Sequence, residues 1–292
     1  MATDALAVFE DARGRLFGIA YRMMGTVAEA EDLVQEAWLR WQRADHTEVR
    51  EPAAFLATTV TRLALNELDS ARARRERYVG PWLPEPVDTS ADPALGAERA
   101  EALSVAVLLL LERLSPAERA AYVLHEAFDY PYRQIAEVLE TSEANARQLA
   151  SRARAHLAGA PRASASTAQR DRLLAAFLAA AQAGDLEALE AVLAEDVVAL
   201  SDGGGVVTAA RKAVRGRERV AGFLLGVLEK FASDVDVAIA EYNGAPAFVG
   251  LRGGAPMAVL TLDIGSESVR GLYNVLNPAK LSRIEAVSGQ RG

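Results

Sequence analysis

The chain has 292 residues, 51% of them apolar and 25% charged, enough for one to three domains with sizeable cores. It has no cysteine, which excludes a disulfide framework, a thiolate metal site and a cysteine nucleophile. The formal net charge is −8, so any contact with nucleic acid must come from local basic patches and not from the total. Met1–Arg15 carries acids where a signal peptide needs basic residues before an apolar run, and Val105–Leu111 is too short to span a bilayer; the expectation is a cytoplasmic protein without a membrane segment.

Residues 8–77 read as a helical bundle. Phe9, Leu16, Phe17, Ile19, Ala20 and Met24 form one apolar stripe, Gly25-Thr26 interrupts it, and Thr26 is placed to cap a second helix running to Arg43. Trp38 and Trp41, three apart on that helix, read as core packing. A third helix follows Pro52, since proline suits a first turn. From Pro52 to Arg77 five arginines face Glu67, Asp69 and Glu76, a net of +2. Residues 78–100 hold four prolines and read as an extended linker. Within it Tyr78 and Trp82 are bulky aromatics on a stiffened segment, the type of residue that anchors an interface. Helix resumes over 101–158, with Ser115-Pro116-Ala117-Glu118 marking a stop and restart by a capping box. Residues 159–169 form a short small-residue linker. From Arg170 the pattern changes. Helices near 171–183, 186–194 and 216–231 accompany strand-like runs at Val197–Leu200, Val235–Glu241, Ala247–Leu251, Met257–Asp263 and Val269–Leu276. Helices first and an antiparallel sheet later predict an α+β domain over 170–292.

The most informative stretch is Tyr132–Leu157. It reads as two short amphipathic helices joined by Glu140-Thr141-Ser142, with Ile135, Ala136, Val138 and Leu139 facing inward and Ser142 as N-cap of the second helix. The outward face of that second helix carries Asn145, Arg147, Gln148, Ser151, Arg152 and Arg154, and its three arginines face one glutamate. Such a helix after a compact helix and turn suits a DNA major groove, where Arg and Gln reach base edges while Ser and further Arg hold phosphates. The plainer reading is a helix pair with a solvated charged face.

Residues 8–157 resemble a bacterial sigma factor of the extracytoplasmic-function (ECF) group, which keeps only the second and fourth sigma domains. The resemblance is carried by Ala30-Glu31-Asp32-Leu33-Val34-Gln35-Glu36 and by Leu114-Ser115-Pro116-Ala117-Glu118-Arg119 leading into the helix-turn-helix. Residues 170–292 look like a SnoaL-like domain of the NTF2-like cone fold, which one subgroup of these factors carries as a fusion. The subgroup's hallmarks are matched by Tyr78-Val79-Gly80-Pro81-Trp82-Leu83-Pro84-Glu85-Pro86, by Asp202-Gly203-Gly204-Gly205, and by Asn277-Pro278-Ala279-Lys280-Leu281, where Ala279 replaces the family's aspartate. The resemblance implies two all-α sigma domains, 8–77 and 101–158, followed by a cone-shaped α+β domain. It also implies a promoter-specificity subunit that binds core RNA polymerase through its largest and second-largest subunits, with promoter DNA as the other partner. On this basis Asp32, Leu33, Val34, Gln35 and Glu36 grip the polymerase. His46, Arg62, Asn66, Arg72, Arg74 and Arg75 meet the −10 element, and the outward face of the second helix meets the −35 element. Tyr78, Trp82, Pro84, Asp202–Gly205, Asn277, Pro278, Lys280 and Leu281 form an interdomain regulatory set.

No cofactor or metal is implied. All three histidines (His46, His125, His156) precede the α+β domain, which therefore lacks an imidazole for acid–base work. Asp202, Asp263, Tyr242, Asn274 and Arg252 are its remaining polar candidates for a cryptic enzyme. Related cone folds also invite a small-molecule ligand in this domain. A third reading is a repressor that acts without polymerase. The leading expectation is regulatory: a docked linker fixes the spacing of the two DNA-binding domains, and the fused domain replaces a separate anti-sigma protein.

Overall fold

A computed structural model describes residues 2–89, 103–157, 165–231 and 234–284. The rest of the expected proline-rich linker (90–100) and most of the short linker before residue 165 lie outside the described residues. These divide into two compact units, 2–77, 89, 103 and 107–157 in one, and 78–88, 104–106, 165–231 and 234–284 in the other.

The first unit is helical. Helices α1 (Ala2–Met24), α2 (Val27–Arg43) and α3 (Pro52–Glu76) pack around Leu16, Ile19, Met23, Ala30, Ala37, Leu56, Val60 and Ala64, all essentially without exposure. Trp41 is buried and its Nε1 donates to the Ala5 carbonyl at 2.9 Å, so it is core, as its spacing implies. Thr26 sits at the N-cap of α2 but does not cap it. Its hydroxyl donates to the Glu29 carboxylate at 2.6 Å, leaving the helix start without a side-chain acceptor. Helices α4 (Val105–Leu111), α5 (Pro116–Tyr122), α6 (Tyr132–Val138) and α7 (Glu143–Leu157) follow, with a π-helical turn at Val123–Ala127 extending α5. Ser115 and Glu118 form the complete capping box at α5. Burial alone would raise the Glu118 carboxyl; the Ser115 hydrogen bonds outweigh it and hold the group below its usual range. Helix α6 ends with Glu140 in the left-handed region (φ 51), and the Thr141 N–H returns to the Ala136 carbonyl at 2.9 Å, a Schellman closure. The Ser142 hydroxyl then accepts from the Asn145 N–H at 3.2 Å and starts α7.

The second unit is α+β. Helices α8 (Thr167–Ala183), α9 (Leu186–Val192) and α10 (Arg217–Phe231) accompany a six-stranded sheet of order β2-β1-β6-β5-β4-β3. The strands are β1 (Leu193–Asp202), β2 (Val214–Arg215), β3 (Asp236–Tyr242), β4 (Ala245–Arg252), β5 (Ala255–Ile264) and β6 (Val269–Val275), with a last short helix α11 (Pro278–Leu281). Phe177, Leu189, Val197, Val220, Phe248, Leu262 and Leu272 share its core. The sheet is mixed, not purely antiparallel. β3 to β6 form a meander by hairpins, but β1 enters from the helical side and lies parallel to β6. Two residues of β2, absent from the sequence reading, pair antiparallel at the far edge of β1.

Candidate functional site

In the second unit the linker, the glycine run and the C-terminal motif meet at one carboxylate. Asp202 ends β1 and has no exposed surface. Its Oδ1 accepts from the Tyr78 hydroxyl at 2.6 Å and the Gly204 N–H at 3.0 Å; its Oδ2 accepts from the Leu83 N–H at 2.9 Å and from Lys280 Nζ at 2.8 Å. Four donors fill the four acceptor positions of one carboxylate, which is what allows a charge to be buried. Lys280, 7% exposed, also donates to the Leu83 carbonyl and lies 5.1 Å from the Tyr78 ring centroid and 4.5 Å from that of Trp82.

Asn277 completes the cluster. Its Nδ2 donates to the Tyr78 hydroxyl at 2.7 Å, while its Oδ1 accepts from the Ala279 N–H at 3.1 Å and so caps α11. Burial, then the Asp202 carboxylate, pushes the Tyr78 phenol above its ordinary value, so it remains a neutral donor. The glycines are needed here. Gly204 has φ +62, and a Cβ on it would lie 2.5 Å from the Asn277 side chain; on Gly203 a Cβ would lie 2.3 Å from the Val207 carbonyl oxygen. Ala279 is exposed at the start of α11, so the aspartate it replaces would stand outside this buried cluster.

The depth of the linker is distributed differently from the aromatic-anchor expectation. Leu83 is fully buried and Pro84 and Val87 are buried, whereas Trp82 is half-buried. Downstream, the Val87 N–H donates to Asn243 Oδ1 at 3.3 Å, the Asn243 N–H donates to the Val87 carbonyl at 2.8 Å, and Asp88 bridges Tyr242. The linker thereby adds a short rung to the free edge of β3. Asn243 escaped the sequence reading, although Asn243-Gly244 is a strong hairpin-turn dipeptide and both residues have positive φ (54 and 70). A cleft of about 180 Å³ lies beside the linker, lined by Val79, Gly80, Ser201, Val206, Val207 and Arg211 among others.

Four of the five residues nominated for a cryptic enzyme are taken up by other contacts or buried in the sheet, and the fifth, Asn274, lies on β6. Asp202 is consumed by the linker. Asp263 faces Arg270 at 3.6 Å, its carboxyl raised by burial against the opposing pull of that guanidinium. Arg252 pairs with Asp234 at 2.9 Å, and Tyr242 is buried on β3.

In the first unit Asp32 and Gln35 are exposed on α2, Glu36 pairs with Arg40 at 3.0 Å, and Leu33 and Val34 point into the core. His46 is exposed in the loop after α2, its ring tilted 31° to that of Trp41 with the centroids 4.1 Å apart, and Asn66 is exposed on α3. The arginines of α3 are largely occupied within the unit. Arg62 donates to the Val138 and Glu137 carbonyls at 3.0 and 2.8 Å, capping the C-terminus of α6, and pairs with Glu140 at 3.2 Å. Arg72 donates to the Leu114 carbonyl at 3.0 Å, and Arg74 bridges Glu29 and Glu67. Arg75 donates to Glu112 and to the Met24 carbonyl, beside Arg119, which donates to the Met23 carbonyl at 2.6 Å and to Glu112 at 2.8 Å.

On α7, Asn145, Arg147, Gln148, Ser151 and Arg152 are exposed along one side. Arg147 pairs with Glu143 at 3.0 Å, Arg152 lies 3.4 Å from Glu118, and Arg154 is held by Glu126 at 2.6 Å and the Tyr132 hydroxyl at 2.8 Å. Glu112, Glu118, Glu126 and Tyr132 were not foreseen as partners, because single charges on short helices show no spacing signal.

A three-helix bundle with an arginine-bearing third helix, and a helix-turn-helix presenting an exposed polar face, define a sequence-specific transcription factor. Two family descriptions match this half of the chain: Sigma-70 region 2 over residues 8–74 and Sigma-70 region 4 over residues 104–157. The chain is 40% identical over 289 residues to the ECF RNA polymerase sigma factor SigJ of Mycobacterium tuberculosis, covering 94% of this chain and 92% of that protein. It is 34% identical over 284 residues to the probable ECF sigma factor SigI of the same organism, covering 95% and 94%. The crystal structure of SigJ matches with a TM-score of 0.78 and 36% identity, over 95% of this chain and 98% of that one. The chain belongs to the ECF RNA polymerase sigma factors, proteins that bind core polymerase and direct promoter recognition and transcription initiation. Its helical sigma regions are followed by an α+β domain, and among the described residues no helix is long and apolar enough to cross a membrane.

Proposed function

We propose that the α+β domain regulates this sigma factor by holding residues 78–88 in a docked state, and that the docked state lowers promoter output. The carrying observation is the saturation of the buried Asp202 carboxylate by donors from the linker, the glycine turn and the C-terminal motif. A linker fixed at Tyr78, Leu83 and Val87 has little freedom to vary the reach between the two DNA-binding regions that it connects. Promoter elements about two helical turns apart demand a particular reach. A small-molecule effector of this domain binds the cleft beside Val79 and Gly80, where occupancy couples directly to the linker.

In the same reading the polymerase contact is the segment Asp32–Glu36, with Asp32, Gln35 and Glu36 meeting the polymerase and the buried Leu33 and Val34 holding that face of α2 in place. The exposed face of α7 reads the −35 element, and His46, Arg62, Asn66, Arg72, Arg74 and Arg75 serve the −10 element. The domain limits are 8–77, 101–158 and 170–292, and catalysis has no part.

Two experiments test the reading. Trp82→Ala should raise transcription in vitro and expand the scattering profile of the full chain; identical profiles and identical output would reduce the linker to a spacer. Asp32→Lys with Glu36→Lys should weaken core-polymerase binding while circular dichroism stays unchanged, and unaltered affinity in a pull-down would remove that assignment.

A further inference from the structure

The α+β domain carries a concentration of cations that linker docking at Asp202 does not use. Residues 211–219, Arg-Lys-Ala-Val-Arg-Gly-Arg-Glu-Arg, hold five cations against one acid, a net of +4 within a chain of net −8. Arg211, Lys212, Arg215 and Arg219 are all exposed, and none of their side chains has an ion pair or hydrogen bond to any described residue. They contrast with the arginines of α3, which are tied to carbonyls and carboxylates. Only Arg217 is occupied here, by the Leu193 carbonyl at 3.0 Å. By sequence and strand register the acids beside the segment are Glu218 within it, and Glu195 and Asp196 on β1, just before the Val198 that pairs with Arg215. All three are exposed, and none lies within 4 Å of the four cations. Neutralisation within the fold therefore does not account for the cluster.

The backbone places the four on one short path. Arg211 and Lys212 lie in the loop before β2, Arg215 is in that edge strand, and Arg219 is in the first turn of α10. The first turn of a helix disfavours cations unless an anion approaches. Three of the four are arginine, whose planar guanidinium suits phosphate oxygens.

We propose that this strip is a second DNA-contact surface, which binds the phosphate backbone of the promoter duplex without reading sequence. Residues 158–166 covalently join α7 to α8. Once α7 engages a duplex, a contact from this domain to the same DNA is intramolecular, at an effective concentration in the millimolar range for a short linker. Individually weak phosphate contacts are useful at that concentration. Duplex phosphate is favoured over an acidic protein surface because the chain already binds promoter DNA as a sigma factor and the cations follow one another along an exposed edge. The inference rests on that family activity, not on linker docking.

The test measures binding of a fluorescent 40-base-pair duplex to the full chain between about 50 and 200 mM salt. Replacing Arg211, Lys212, Arg215 and Arg219 with alanine should lower the slope of log affinity against log salt by about 2 to 4, at roughly 0.9 for each phosphate no longer neutralised. Affinity should fall by about the same factor on every duplex sequence. Arg211→Lys, Arg215→Lys and Arg219→Lys together should retain the slope. If the fourfold variant folds poorly, Arg211→Gln with Lys212→Gln, both in the loop, should give about half the effect. Repeating the fourfold change in an Arg147→Ala, Arg152→Ala background separates the strip from the recognition helix, since the slope should fall again there. An unchanged salt slope overturns the proposal. So does an unchanged slope accompanied by lost core-polymerase binding, which would assign the strip to a protein surface.

Discussion

Replacing Asp202 with alanine removes the one carboxylate that four donors share. Lys280, 7% exposed, loses the carboxylate that lies 2.8 Å from its Nζ; Tyr78 and the Leu83 and Gly204 N–H groups lose their acceptor. Breaking a buried pair from one side typically costs about 3–5 kcal/mol, because the remaining charge is uncompensated. At 1.4 kcal/mol per tenfold, docking weakens by between about two and four orders of magnitude. The Leu83 amide reports this directly, since its hydrogen bond exists only when the linker lies on Asp202. Its hydrogen exchange in the full chain should accelerate by that factor, or until it reaches the unprotected rate. Asp202→Asn combined with Lys280→Met removes both charges at similar volume and should restore most of the protection. Exchange at Leu83 that is unchanged in Asp202→Ala would refute the reasoning, as would a double variant worse than the single.

Three other outcomes follow from the same geometry and from α7. Gly204→Ala should destabilise the chain to urea by about 2–3 kcal/mol, because a left-handed φ of +62 is combined with a Cβ 2.5 Å from Asn277; Gly253→Ala, at φ +57 with nothing within 4 Å, should cost about 1 kcal/mol. The Tyr78 phenol is raised in the folded state, so its contribution is complete below the ordinary tyrosine value near 10 and is lost as pH rises beyond it. The urea midpoint should therefore drop above about pH 10 in the wild type, and less so in Tyr78→Phe. Arg147→Ala and Arg152→Ala should each reduce −35-dependent transcription, by about 1–3 kcal/mol where the guanidinium reads a base edge, and intact −35 footprints would contradict the groove assignment.

The helical half was legible because its signals are local. The Ser115–Glu118 capping box, Pro52 and Pro116 in first turns, and the apolar period of α1 and α6 each determine a boundary within a few residues. The strand runs were visible too, but their pairing was not. Nothing in Val197–Leu200 says that β1 lies parallel to β6, since that depends on how the whole meander returns. The residues of the Asp202 cluster were nominated by motif. Their chemistry was hidden, because the partners of Asp202 come from Tyr78, Leu83 and Lys280, more than 75 positions away in each case. The occupied arginines of α3 were hidden for the same reason. A basic run looks the same whether its guanidinium groups face solvent or carbonyls.

That occupancy makes self-packing and promoter contact rival uses of the same atoms. Arg62 cannot cap the Glu137 and Val138 carbonyls and hold a phosphate with the same N–H groups, and Arg75 cannot serve both Glu112 and DNA. On the proposed assignment, apparent DNA affinity is the intrinsic affinity multiplied by the fraction of molecules whose arginines are released. In a free factor the arginines of α3 thus add little to retention at the excess of non-specific genomic sites. Selectivity then lies in a partner that releases the arginines as much as in the bases they meet afterwards.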